Sequence, residues 1–199
     1  TLLLSSTSPS RRALIERLAL PFSCQAPGVD EDPVKRLGRE PFATVQELAR
    51  KKAQSVFQRN PTSVVIGSDQ AAVLESDLLD KPGDAAAAIA QLQRLRGREH
   101  LLLTAVAIAH GEGMIEFADV TRLLMRNLTD EEIADYIATE KPFDCAGSYK
   151  IESLGITLFD RIDSQDHTAI IGLPLLRLSR ELRQIGIGHA SAGSSQKLT

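Results

Sequence analysis

The sequence predicts an α/β fold, a mixed twisted sheet flanked by helices. Three observations predict it. Short apolar or β-branched runs, Leu2-Leu3-Leu4 and Val64-Val65-Ile66, alternate with stretches of helical period in the first half. A turn signal, Gly111-Glu112-Gly113, joins two long strand candidates in the second half, which breaks a purely parallel pattern. The chain has 199 residues, 43% of them apolar and 25% charged, the size and composition of one globular domain.

Each element follows from local chemistry. Leu2-Leu3-Leu4 reads as a buried strand. Ser8 then caps a helix whose first position is Pro9, where a missing N–H costs nothing; Leu14, Ile15 and Leu18 share a face, and the helix stops before Pro21. Residues 22–26 read as a short strand and residues 27–41, polar and rich in Gly and Pro, as a loop. A helix is expected over 42–57, with Val45, Leu48, Ala49, Ala53 and Val56 on one side. Val64-Val65-Ile66 is a strand that Gly67-Ser68-Asp69-Gln70 is expected to end, and residues 71–79 form a second extended segment with a turn at Glu75-Ser76-Asp77.

Asp84 caps an alanine-rich helix to Leu95, closed by Gly97. Residues 100–110 and 114–126 are the paired strands of the hairpin. Thr129 and Glu132 have the spacing of a capping box for a helix that ends at Pro142. Residues 145–155 read as a loop, 156–162 as a strand, and 173–185 as the last helix, with Pro174 in its first turn. The small, polar stretch 188–199 is expected to be disordered.

Composition excludes several function classes. Lys and Arg total 23 against 26 Asp and Glu, a net charge of −3, which does not suit a general nucleic-acid coat. No apolar run approaches the roughly 20 residues that span a bilayer, and no basic stretch precedes the apolar start at Leu2, so neither a membrane span nor a secretory leader is expected. Cys24 and Cys145 stand alone, with no CxxC or Cys/His cluster; one disulfide could join them, but they read more readily as two buried thiols in a reducing compartment, and structural zinc is not expected.

Four segments can carry chemistry. Ser6-Thr7-Ser8-Pro9-Ser10-Arg11-Arg12 joins a strand to a helix N-terminus, where free N–H groups, the hydroxyls of Ser6 and Ser8 and two arginines suit an anion. Taken alone, such a helix start is more often a plain cap with arginines on a solvated face. Asp69 follows a strand, where a carboxylate can hold a cation or activate water and Gln70 can read a base edge; a capped turn is the plainer alternative. Lys81-Pro82 and Lys51-Lys52 offer cations that also suit ordinary surfaces. Residues 144–152 hold small residues that admit a ligand, with Glu152 as an acceptor or metal ligand; Cys145 has no His beside it in sequence and reads as packing.

Taken together, Ser6-x-Ser8-Pro9-x-Arg11-Arg12, Val29-Asp30-Glu31, Leu48-Ala49-x-x-Lys52-Ala53, Gly67-Ser68-Asp69-Gln70, Lys81-Pro82, Ala146-Gly147-Ser148 and Gly172-Leu173-Pro174-Leu175 resemble the Maf family of nucleotide pyrophosphatases. The resemblance runs from Leu2 to about Gly186. It implies one domain over 1–187 with two lobes and a central cleft, akin to the ITPase-like house-cleaning pyrophosphatases. It implies a cytoplasmic homodimer that binds a small nucleotide and a divalent cation, Mg²⁺ or Mn²⁺, and neither nucleic acid nor membrane. The implied reaction cleaves a nucleoside triphosphate between the α and β phosphates, releasing a monophosphate and diphosphate.

By the same resemblance Arg11, with Arg12 beside it, matches the catalytic arginine; Lys52 and Lys81 match the phosphate-binding lysines; Asp69 matches the general base; and Glu31, with Asp69, matches the metal-supporting acids. Gln70 and Glu152, with Ala146-Gly147-Ser148 and Lys150, look like the branch acting on 7-methyl-GTP rather than the dTTP/UTP branch, which usually has Asp-Thr at the position of Asp69-Gln70 and a Gln in the later loop. A carboxylate suits the cationic N7-methylated base. Ser10 departs from that branch, which often carries Trp there, where it can stack on the base. The family is also linked to septum formation and cell-division arrest, so a nucleotide-binding regulator with little turnover is the alternative. The complete set of Arg11, Lys52, Asp69 and Lys81 favours the enzyme.

Overall fold

In the computed structural model, which describes residues 1–188, strand β1 (Leu2–Ser5) lies parallel to β2 (Phe22–Gln25) on one side and β3 (Val64–Leu74) on the other. Helix α1 (Pro9–Glu16) connects β1 to β2; α2 (Asp32–Lys35) and α3 (Pro41–Arg59) lead on to β3. The chain thus leaves β1 toward one edge of the sheet and returns on its other side. Such a reversal of strand order opens a crevice at the carboxyl end of the central strand, where ligands collect.

On its far edge β3 pairs antiparallel with β5 (Glu99–His110), β5 with β6 (Gly113–Met125), and β6 with β7 (Phe159–Asp163). Strand β4 (Asp77–Leu79) folds back on the end of β3. The sheet is therefore mixed, with order β2-β1-β3-β5-β6-β7 and β4 beside β3. β1 covers residues 64–67 of β3 and β4 covers 72–74 on that same edge. Residues 68–71 lie between these two ladders with β5 on one edge and no strand on the other among the described residues. This interruption is the floor of the cleft.

Period-two alternation sorts the core. Leu2 and Leu4 pack with Leu14 and Ile15 of α1 and with Leu178 and Leu182 of α6 (Leu175–Gln184). Leu3 points to the opposite face, against Val45, Ala49, Ala53 and Val56 of α3. A third cluster joins Leu92, Leu95, Ile133 and Ile137 of α4 (Ala85–Leu95) and α5 (Asp130–Glu140) to Leu102 and Leu123 of the hairpin. The first cluster builds one lobe and the third the other, while the second lies on the opposite face and extends along β3 and β5 to Val73 and Leu103; β3, β5 and β6 run through both lobes.

Helix starts follow the sequence closely. Ser8 caps α1 with Pro9 inside it, Asp84 caps α4, and Thr129 and Glu132 complete the capping box of α5. Several expectations are corrected. Gly67-Ser68-Asp69-Gln70 does not end a strand, because β5 continues to pair with β3 through Val73. Gly67 serves packing instead: a Cβ there would collide with the main chain of Ala49 and Ala53 in α3. The expected loop over 27–41 contains α2, started by Pro33 in its first turn. The loop over 145–155 contains a 3-10 turn, Ala146–Ser148, and a second 3-10 segment, Leu154–Leu158, delays β7 to Phe159. Pro174 precedes α6 rather than lying in its first turn. Cys24 is exposed on edge strand β2 and Cys145 is half-buried, so neither is the buried thiol expected. The disorder expected over 188–199 falls, beyond Gly188, outside the described residues.

Candidate active site

The cleft at the carboxyl end of β1 encloses about 590 Å³. One wall is the segment from Ser5 into α1, the other is residues 144–152, and Gln70, Lys52 and Glu31 lie between. Ser6 Oγ accepts from the backbone N–H of Ser8 at 3.1 Å, and Ser8 Oγ accepts from that of Arg11 at 3.4 Å. The turn is thereby shaped so that the start of α1 faces the cleft, with its dipole favouring negative charge there.

Arg11 fills the interruption in the sheet. Its Nη1 donates to the carbonyl of Ser68 at 3.0 Å, and its Nε donates to the carbonyl of Gly172 at 3.2 Å. Burial lowers its pKa while Asp69 and Glu31 counteract this, and the guanidinium remains charged. Arg12, one residue on, turns the other way and pairs with Glu16 at 3.1 Å on the exposed face of α1. The 100° step between helix neighbours separates the two arginines, so the structure does not bring Arg12 to the cleft.

Three charged groups meet below Arg11. Lys52, buried on α3, places Nζ 2.6 Å from Asp69 Oδ1 and 2.7 Å from Glu31 Oε1. The chain of charges continues outward: Lys35 lies 3.2 Å from Glu31 and 2.7 Å from Asp80. Burial of Asp69 raises its pKa, against the pull of Lys52 and Arg11. Glu31 is opposite in sign: burial pushes upward, but hydrogen bonds and charge from Lys52 and Lys35 hold it down at about 2. Asp69 does not line the main cleft itself; it lines a small recess that shares Glu31, Gln70 and Lys81 with it. Lys81 is exposed on the lip with no ion-pair partner among the described residues.

The base-recognition candidates take up different states. The amide nitrogen of Gln70 donates to Thr104 Oγ1 at 2.9 Å and to the carbonyls of Ala169 and Ile170 at 3.0 and 3.2 Å. That leaves the amide oxygen as the group available to a ligand, an acceptor. Ser10 Oγ donates to Glu152 Oε1 at 2.7 Å across the mouth of the cleft, which joins the two walls. Tyr149 lines the cleft behind them, buried and packed edge-on against Phe159 at 5.0 Å. Cys145 also lines the cleft, but burial and the adjacent Asp144 push its thiol up to about 12, which keeps it protonated and unsuited to attack.

The donors suit a divalent cation. Among the described residues no three His, Cys, Asp or Glu side chains are grouped to hold a metal by themselves. Two carboxylates, Glu31 and Asp69, converge on one point now neutralised by Lys52. That fits Mg²⁺, which commonly takes one or two carboxylates and draws its other ligands from water and substrate phosphates.

Sequence reasoning missed Thr104, Lys35 and Asp80, and it quoted Ser68 and Gly172 within motifs without giving either a partner in the site. A signal existed for Thr104: a hydroxyl inside the apolar run Leu101-Leu102-Leu103-Thr104-Ala105-Val106 must find a partner once buried. Lys35 stands four residues after Glu31, the spacing of a helical ion pair.

The model of the Maf-like protein family matches residues 1–185. A 7-methyl-GTP pyrophosphatase of Aromatoleum aromaticum is 48% identical over 188 residues, 94% of this chain and 96% of the relative. A 7-methyl-GTP pyrophosphatase of Albidiferax ferrireducens is 46% identical over 189 residues, 94% of each chain. Among solved structures, a nucleoside-triphosphatase (dITP/XTP pyrophosphatase) from Mycobacterium abscessus aligns over 64% of this chain and 74% of its own, with 17% identity and a TM-score of 0.44. No helix among the described residues is long and apolar enough to cross a membrane.

Proposed function

The chain belongs to the Maf-like protein family, and from that membership we propose that it hydrolyses the α–β phosphoanhydride of 7-methyl-GTP, yielding 7-methyl-GMP and diphosphate. The observation that carries the reading is one cleft lined by Arg11, Lys52 and Glu31 together with Gln70 and Glu152, with Asp69 in the adjoining recess, bonded to Lys52. Arg11, Lys52, Glu31 and Asp69 are the chemistry of a phosphate chain and attacking water. Gln70 and Glu152 are the chemistry of a base with N–H donors.

In this reading the triphosphate lies along the start of α1. Ser6, Ser8 and the N–H groups of that turn donate to phosphate oxygens, and Arg11 and Lys81 balance their charge. Asp69 accepts a proton from water as its oxygen attacks the α phosphorus, and the bond to the β-phosphate oxygen breaks, releasing diphosphate. The raised pKa of Asp69 makes it the stronger base of the two acids. Lys52 keeps Asp69 and Glu31 close together despite their like charge. Glu31 and Asp69 would hold a divalent cation, which supplies charge neutralisation on the phosphates. The Gln70 oxygen and Glu152 accept from the N1–H and amino groups of a guanine edge, and the negative Glu152 favours a base made cationic by methylation. A cytoplasmic homodimer completes the proposal.

The test is release of diphosphate from 7-methyl-GTP, GTP, dTTP, UTP, CTP and ITP with Mg²⁺ and with Mn²⁺. Highest kcat/KM for 7-methyl-GTP is expected. Turnover led by dTTP or UTP would overturn the base assignment. Bound nucleotide without turnover would make the chain a nucleotide-binding regulator instead.

A further inference from the structure

We propose that the turn from Asp166 to Gly172 is a single positioning bracket that holds two side chains of the cleft with different tasks, Gln70 for the base and Arg11 for the phosphates. The proposal rests on the pyrophosphatase reading above and adds residues that reading does not use. The turn acts through main-chain oxygens. The carbonyls of Ala169 and Ile170 accept from the Gln70 amide nitrogen at 3.0 and 3.2 Å, and that of Gly172 accepts from Arg11 Nε at 3.2 Å. Two buried hydroxyls of the sheet brace the same carbonyls from below: Thr104 Oγ1 donates to Ala169 O at 3.0 Å, and Ser68 Oγ donates to Gly172 O at 2.9 Å.

The turn is itself tied down by buried polar groups. Asp166, 4% exposed, accepts at Oδ1 from the N–H and hydroxyl of Thr168, at 2.9 and 2.6 Å, and at Oδ2 from the N–H of Leu176 at 2.7 Å. Thr168 Oγ1 in turn accepts from the N–H of Leu175 at 2.8 Å. The bracket is thus fixed to the start of α6. Gly172 completes it with φ at +131°, where a Cβ would stand 3.1 Å from Arg11 Nε. A carbonyl that turns by a fraction of an ångström moves the guanidinium or the amide it holds, and catalytic geometry is sensitive at that scale. Arg11 and Gln70 touch substrate in the proposed reading; Asp166, Thr168, Thr104, Ser68 and Gly172 act through them and are positioning residues.

The arrangement predicts a separation that general loss of stability would not produce. Ser68→Ala loosens the Arg11 end: kcat is expected to fall about tenfold for every nucleotide, with the ratio of kcat/KM for 7-methyl-GTP over UTP unchanged. Thr104→Val loosens the Gln70 end: that ratio is expected to fall about fivefold, with kcat for 7-methyl-GTP held within about threefold. Thr168→Val, which loosens the anchor, is expected to lower both, and Thr168→Ser, which keeps the hydroxyl, to restore both. Melting curves accompany each variant, and if Thr168→Val does not fold, Ser68→Ala and Thr104→Val carry the test alone. Equal loss on both measures in Ser68→Ala and Thr104→Val, or wild-type values in both, would overturn the bracket. Absence of turnover in the wild-type enzyme would instead overturn the pyrophosphatase reading.

Discussion

Lys52 Nζ stands 2.6 Å from Asp69 Oδ1, so the carboxylate read as the base is held by a buried ammonium on the neighbouring helix. The pair sits where two opposing effects meet. Burial raises the pKa of the carboxylate and makes it a stronger base, while the charges of Lys52 and Arg11 oppose that rise.

Asp69→Asn retains the shape of the site and removes the proton acceptor. Turnover of 7-methyl-GTP is expected to fall by about 10²–10⁴. Binding of a non-hydrolysable analogue, followed by calorimetry, is expected to persist. Wild-type turnover in this variant would remove Asp69 from the mechanism.

Lys52→Met leaves Asp69 and Glu31 facing one another without the ammonium. Losing one partner of a buried pair costs about 3–5 kcal/mol, which chemical denaturation should detect as a lower midpoint. Retention of wild-type stability would mean that the two carboxylates share a proton or a cation in its place.

Ser10→Trp breaks the hydrogen bond to Glu152 and supplies an aromatic face at the mouth of the cleft. A cation–π contact is worth about 0.5–2 kcal/mol, so selectivity for 7-methyl-GTP over GTP should rise between roughly twofold and thirtyfold. Competition kinetics with the two nucleotides measures it. An unchanged ratio would show that the base does not reach Ser10.

His100 gives a pH dependence with a definite sign. It is buried, its Nε2 lies 3.2 Å from the Tyr149 hydroxyl, and burial lowers its pKa from 6.5 to about 4. The unfolded chain takes up a proton below pH 6.5 that the folded protein refuses, so stability is present above that pH and is lost on the way down to about 4. The loss is on the order of 3 kcal/mol. His100→Phe should flatten this part of the stability curve, measured by denaturation at a series of pH values. An equally steep curve in the variant would assign the effect to another group.

Glu31 acts lower down. Its pKa is about 2 in the fold against 4.5 ordinarily, so its contribution is full above 4.5 and disappears as pH falls toward 2. Glu31→Gln should remove that part of the acid denaturation and raise the Mg²⁺ concentration needed for half-maximal turnover. A Mg²⁺ requirement equal to that of the wild type would exclude Glu31 from cation binding.

Local signals were legible where one residue decides the outcome. Ser8, Asp84 and Thr129 cap helices as their side chains require, and the β-branched run at Val64 is a strand. The limits were long-range. Nothing near Gly67 reveals that β5, more than thirty positions away, will carry the strand past it, or that α3 will press on its main chain. The pattern that groups Arg11 with Arg12 is a pattern of sequence neighbours, and helix geometry separates them. Asp69 and Lys52 were legible as candidates, while the salt bridge between them required the tertiary fold. The backbone carbonyl of Gly172 has no side-chain signature at all, so its grip on Arg11 could not be read from residue types.

The three strands that run through both lobes have a mechanical consequence. β3, β5 and β6 contain 11, 12 and 13 residues, and their ladders are continuous from one lobe to the other apart from a single irregularity at the far end of β6. A hinge needs a few soft dihedral angles between two stiff bodies, and a ribbon of paired strands offers none at its middle. The lobes are therefore one girder. The distance between the jaws is fixed when the chain folds, and a guest must match a gauge already cut, with adjustment left to the short segments mounted on the ribbon.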